Sequence, residues 1–191
     1  MKYTQGFTLI ESLVAISILV IAAVAPMSLA AQSLASAFYA RDQITAFYLA
    51  QEAIESVRAA RDGNALSNAF GTTVNLLNGI PSTTGQPFLI STQDNSMALC
   101  STGTCPPLQN NGNVYGYSSV ITCGASGSCP ITDPWTNTRF TRTVTAEFVG
   151  GGQDEVRISV EVSWQTGTFQ TRTFTMSENL YRWLEDGAAA E

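Results

Sequence analysis

The sequence predicts an α+β fold in which a long N-terminal helix, membrane-spanning in its first half and amphipathic in its second, packs against an antiparallel β-sheet. Three observations carry this. Residues 12–40 contain no charged side chain. Apolar residues then recur at steps of three or four as far as Val57, and the C-terminal third alternates apolar with polar residues at period two.

The charge-free stretch sets the first element. Its core, residues 13–31, is almost wholly apolar, about the length needed to cross a hydrocarbon layer of roughly 30 Å. Glu11 stands at its head, four residues beyond Phe7. A charge deep in a bilayer helix is disfavoured by about 2.5–3.5 kcal/mol, so Glu11 needs a cation. Pairing with its own N-terminal amine or with the positive helix N-terminus are local solutions. Pro26 has no backbone donor and its ring crowds the carbonyl four residues back, which predicts a kink or loosening between Ala22 and Pro26.

The helix is expected to continue over residues 32–62. Ile44, Phe47, Ala50, Ile54 and Val57 form its apolar face, while Arg41, Asp42, Gln51, Glu52, Glu55, Arg58 and Arg61 fill the others. Gly63 and Asn64 supply a C-terminal stop. Residues 63–113 are rich in Gly, Ser, Thr, Asn and Pro with short apolar runs at 74–77 and 88–90, and read as a variable, loop-rich region with room for short strands.

Residues 114–186 read as the sheet. Phe140, Arg142, Val144, Ala146 and Phe148 share one face of a strand. After the glycine turn at 150–152, Val156, Ile158, Val160, Val162 and Trp164 share one face of the next. Residues 166–168 turn the chain into a third strand over 169–176, giving a meander whose apolar face packs on the helix. A strand at 114–122 extends the sheet. Leu180, Tyr181, Trp183 and Leu184 anchor the tail, and residues 187–191 read as disordered.

Composition bounds the chemistry. Net charge is −6 and no run of basic residues occurs, a poor platform for nucleic acid. Lys2, before the apolar segment, places the N-terminus on the cytoplasmic side and the C-terminal domain outside, where disulfides form. Four cysteines allow three connectivities. Cys100 with Cys105 and Cys123 with Cys129 are favoured, because Gly103 and the Gly/Ser-rich stretch at 124–128 let small loops close; the crossed pairings stay open. A four-thiolate zinc site is the alternative, against which neither pair has the Cys-x-x-Cys spacing. Histidine is absent, which removes Ser-His, Cys-His and histidine-ligated metal mechanisms together. Gly150-Gly151-Gly152 lacks the Lys and Ser/Thr of a phosphate loop and reads as a turn. No enzyme activity and no cofactor are expected.

Met1-Lys2-Tyr3-Thr4-Gln5-Gly6-Phe7-Thr8-Leu9-Ile10-Glu11 resembles the processing signal of type IV pilins and pseudopilins. The resemblance implies that residues 1–6 are a leader peptide, that prepilin peptidase cuts after Gly6, and that the new N-terminal Phe7 is N-methylated. It implies that residues 7–31 are the transmembrane helix and that Glu11, in the fifth mature position, neutralises the N-terminal amine of a neighbouring subunit. It implies a structural subunit, a minor pilin or pseudopilin, assembled through its helix into a filament for adhesion, motility, protein secretion or DNA uptake. The implied partners are the peptidase, other pilin or pseudopilin subunits, an inner-membrane assembly platform and membrane lipid. The implied location is a single-pass cell membrane protein with an extracytoplasmic domain, later a pilus or pseudopilus. Some pseudopilins carry calcium; Asp133, Asn137 and Asp154 lack a recognisable ligand spacing and are read as turn residues, so no metal is expected.

Three other readings compete. A secretory signal peptide cut before Ala31 would place Glu11 in an h-region that is also too long. An unprocessed anchor leaves Glu11 unexplained. A membrane-anchored extracytoplasmic binding or adhesion protein with no filament role shares the architecture but not the assembly. Mass spectrometry of the mature N-terminus separates the first two from the leading one: N-methyl-Phe7 is expected, and a chain beginning at Ala31 would mean secretion instead.

Overall fold

The computed structural model describes residues 6, 8–81, 84–91, 95–100, 103–117, 135–150, 155–166 and 170–181. The chain divides into two units, Met1–Asp42 and Gln43–Glu191, and the helix α1 (Leu9–Ala69) contributes to both.

In the first unit every described residue up to Arg41 is exposed, including Leu13, Ile16, Ile18, Leu19, Ile21 and Met27. An aqueous helix with apolar side chains on every face has nothing to bury them against, whereas one of this length and composition can cross a bilayer. Three of its serines bond back to the helix, as lipid favours: Ser12 Oγ donates to the Thr8 carbonyl at 3.3 Å, Ser17 Oγ to that of Val14 at 2.8 Å and Ser28 Oγ to that of Ala25 at 2.9 Å. The chain is helical on both sides of Pro26.

In the second unit the helical face that packs on the sheet is rotated from the expected one. Ala46, Leu49, Ala50, Ala53, Ile54 and Val57 are buried, while Ile44 is 57% and Phe47 39% exposed. The alanines are the reason. Ala46, Ala50 and Ala53 are wholly buried, and the larger Phe47 is left at the margin, edge-on to Phe174 with ring centroids 5.9 Å apart.

The helix also passes its expected stop at residue 62 and ends two turns later. Asn64 is held by donating to the carbonyls of Leu76 at 3.1 Å and Asn78 at 2.8 Å. Asn68 is tied to Val74 in both directions, at 2.7 and 2.6 Å. These contacts offset the conformational entropy of Gly63. The true terminus is at Gly71, with φ of 85°, where Gly71 N–H donates to the Asn68 carbonyl and Thr72 N–H to that of Ser67. This is a Schellman motif, which closes the last carbonyls of the helix.

Among the described residues the sheet has seven strands, all antiparallel: β1 (Phe88–Ser91), β2 (Ser96–Leu99), β3 (Pro107–Asn110), β4 (Tyr115–Gly116), β5 (Thr136–Phe148), β6 (Glu155–Thr166) and β7 (Gln170–Tyr181). The sheet thus begins well before residue 114, because Phe88, Leu89, Ile90 and Ser91 are all buried. β5 pairs along one edge with β6, and shares its other edge between β1, at Val144, and β3, near Thr141 and Asn137. β6 follows its predicted alternation at every apolar position from Val156 to Trp164. β7 is longer than expected and carries Leu180 into the core while Tyr181 is exposed. Trp183, Leu184, the expected disordered tail and most of the expected strand at 114–122 lie outside the described residues.

The two helical glycines give opposite predictions. Gly71→Ala should destabilise the second unit by about 1–2 kcal/mol, since a Cβ there meets open space and only backbone strain acts. Gly63→Ala, mid-helix and unobstructed, should stabilise it by roughly 0.5–1 kcal/mol. Denaturation of the full chain in detergent, followed by tryptophan fluorescence, reads both; destabilisation by Gly63→Ala would place the helix end where the sequence alone put it.

Candidate functional site

The candidate site is the N-terminal segment. Gly6 is exposed, and a Cβ placed on it would meet open space. Phe7 lies outside the described residues. Thr8 caps the helix: its Oγ1 accepts from the Glu11 backbone N–H at 3.4 Å, and its carbonyl accepts from Ser12 N–H at 3.2 Å. Thr8 and Glu11 therefore occupy the first and last positions of a Ser/Thr-x-x-Glu capping box. This pattern was open to view in the sequence, and reading Glu11 only as a membrane charge passes over it. The Glu11 side chain is exposed, and no arginine or lysine among the described residues reaches it.

The second unit is organised around Arg142, the largest fully buried side chain, only 1% exposed. The period-two pattern of β5 puts this residue on the core face, and the helix and β1 receive it there. Nη1 donates to the Leu49 carbonyl at 3.0 Å and to Glu52 Oε2 at 3.1 Å, and Nη2 to the Ile90 carbonyl at 2.7 Å. Burial lowers the Arg142 pKa and the Glu52 carboxylate opposes that shift. Beside it, burial pushes the Tyr117 phenol up, and the guanidinium opposes it. A second tie joins helix to sheet at the surface: Arg58 Nε and Nη2 donate to the two oxygens of Glu178 at 2.8 and 2.6 Å, which raises the Arg58 pKa.

Cys100 and Cys105 are joined in a disulfide with Cα atoms 4.9 Å apart. Two of the four thiolates that a zinc site would need are thereby withdrawn. Cys123 and Cys129 lie outside the described residues. So do Asp133 and Asp154, while Asn137 accepts a cross-strand bond from Gln109 at 3.0 Å. Among the described residues no group of acidic or cysteine side chains is arranged to hold a metal.

A long apolar helix, unburied in its first part, ahead of an α+β unit fits a membrane-anchored protein. Residues 1–25 match the family model described as the prokaryotic N-terminal methylation motif. That motif is the signature of type IV pilins and pseudopilins and marks the chain as a pilin-like substrate of prepilin peptidase. Comparison with curated proteins and with solved structures gave no match.

Removing Arg142 tests its place in the unit. Arg142→Ala leaves a cavity and strands two carbonyls, and should destabilise by roughly 3–5 kcal/mol. Arg142→Met fills the space without the charge and should lose less than half of that. Urea unfolding of both variants in detergent measures the difference; equal losses would mean that hydrogen bonding, not volume, fixes the residue.

Proposed function

We propose that this chain is a structural subunit, a minor pilin or pseudopilin, and not an enzyme. Prepilin peptidase removes residues 1–6, Phe7 is N-methylated, and the processed subunit waits in the cell membrane with its C-terminal domain outside. An inner-membrane assembly platform then draws it into a type IV pilus-like filament, where α1 exchanges lipid for the apolar helices of other subunits. The observation that carries this reading is the methylation motif at residues 1–25, which runs into a helix whose apolar side chains are all exposed as far as residue 40. Such a helix needs an apolar surrounding, and lipid and a filament core are two that it can occupy in turn.

Within this reading Glu11 has two separable jobs. Its backbone and spacing complete the helix cap, and its charge meets the Phe7 amine of a neighbour. An ion pair of that kind in an apolar core is strong because there is no water to screen it. Pro26 loosens the helix near Ala22 and lets the apolar segment adjust between the two surroundings. The loop of Cys123 with Cys129 closes as that of Cys100 with Cys105 does.

Two substitutions separate the jobs. Glu11→Ala should leave the protein in the membrane fraction and reduce its share in sheared filaments by tenfold or more. Glu11→Gln keeps the capping geometry and removes the charge, so it should fail equally. If Glu11→Gln restored incorporation, measured by immunoblot of filament and membrane fractions, the residue would act as a cap alone.

A further inference from the structure

Asparagine is followed by glycine at two places in the chain, Asn78-Gly79 and Asn111-Gly112. Such a pair can rearrange with water as the only reagent. The glycine backbone nitrogen loses its proton and attacks Cγ of the asparagine, the Cγ–Nδ2 bond breaks, ammonia leaves, and a five-membered succinimide remains. Glycine permits the approach because no Cβ crowds it. Water then opens the ring. Opening at Cγ leaves an ordinary aspartate, whereas opening at the former backbone carbonyl leaves an isoaspartate, whose main chain runs through Cγ and gains one atom.

The fold treats the two pairs differently. Asn111 is locked: its Oδ1 accepts from the N–H groups of Asn113 and Val114, both at 3.0 Å, and the Gly112 N–H that would attack is engaged with Asn110 Oδ1. Asn78 and Gly79 are both exposed, in a turn closed by the Ile80 N–H on the Leu77 carbonyl at 3.2 Å with Gly79 at φ of 87°. Among the described residues neither the Asn78 side-chain amide nor the Gly79 N–H has a hydrogen-bond partner. Electrophile and nucleophile are adjacent, unengaged and open to water.

The same turn holds the end of α1. Asn64 Nδ2 donates to the Asn78 carbonyl at 2.8 Å and to that of Leu76 at 3.1 Å, and the turn is seated by Leu76 and Ile80, which are buried on either side of it. One extra main-chain atom between those two residues changes the span of the turn and shifts an acceptor of Asn64.

We propose that Asn78 is a site of spontaneous deamidation and isoaspartate formation, that Asn111 is shielded from the same chemistry by its own turn, and that isoaspartate at 78 loosens the last two turns of α1. The chemistry needs no enzyme and is independent of assembly through α1.

The test ages the full chain in detergent micelles in warm, mildly alkaline buffer, which favours loss of the attacking nitrogen's proton. Peptide mass spectrometry follows amide turning to acid, and electron-transfer fragmentation separates isoaspartate from aspartate. In the folded chain Asn78 should convert at least tenfold faster than Asn111, and in urea, where both turns are lost, the two rates should draw level. Equal rates in the folded chain, or a rate at Asn78 that rises tenfold in urea, would overturn the proposal. Hydrogen exchange over residues 63–69 reads the consequence. It should quicken fivefold or more in chains that carry isoaspartate and stay at the fresh rate in aged Asn78→Gln, whose longer side chain cannot close the five-membered ring. Unchanged exchange in the isoaspartyl chains, or equal quickening in aged Asn78→Gln, overturns the link to the helix.

Discussion

The guanidinium of Arg142 is the point on which the sheet-bearing unit depends. It reaches from β5 to the backbone of α1 at Leu49 and to β1 at Ile90, so one side chain joins the helix, the long central strand and the first hairpin. A buried cation is expensive to dehydrate, and it is tolerated here because two carbonyls and the Glu52 carboxylate receive it. An apolar residue at that position would fill the space without saying where along the helix the sheet should sit. Hydrogen bonds have direction and length, and these fix the register between the two layers. The alanines at 46, 50 and 53 are wholly buried on the helical face that also carries Leu49.

The other half of α1 obeys a different solvent. Its side chains are apolar all round, Ser17 and Ser28 bond back to their own helix, and its N-terminus is closed by Thr8. Each of these removes a reason for the segment to seek water. The methylation motif and this apolar helix together fit a membrane-anchored protein whose domain lies beyond the bilayer. The same sequence thus carries two helical grammars in one element, separated near residue 42.

How much of this was open to reading from the sequence depended on how many residues carried each signal. β6 was legible in full because five successive apolar positions face one core. The apolar anchor was legible for the same reason, over an even longer run. The helix end was misread since a glycine inside a helix and a glycine after one look alike in sequence. What distinguishes Gly63 from Gly71 is the attachment of Asn64 and Asn68 to the following turn, a contact that no local pattern announces. The expected helical face was right at Ala50, Ile54 and Val57 and wrong at Ile44 and Phe47, because the large residues outweighed Ala46 and Ala53. β1 to β3 have four residues each, too short for periodicity to separate them from the turns around them. Arg142 was placed on the right face, but its partners are 52 to 93 residues away and only the fold brings them together.

The way α1 lies on the sheet has a mechanical meaning. Its attachments are laid out along the helix: Arg142 at Leu49 and Glu52, and Glu178 at Arg58. A pull on the helix along its own axis loads such a joint in shear, like a lap joint, so that packing and both ion-paired ties resist at once. A pull across the axis would instead peel them one after another at far lower force. The joint between helix and sheet is therefore stronger against a pull along the helix than against one across it.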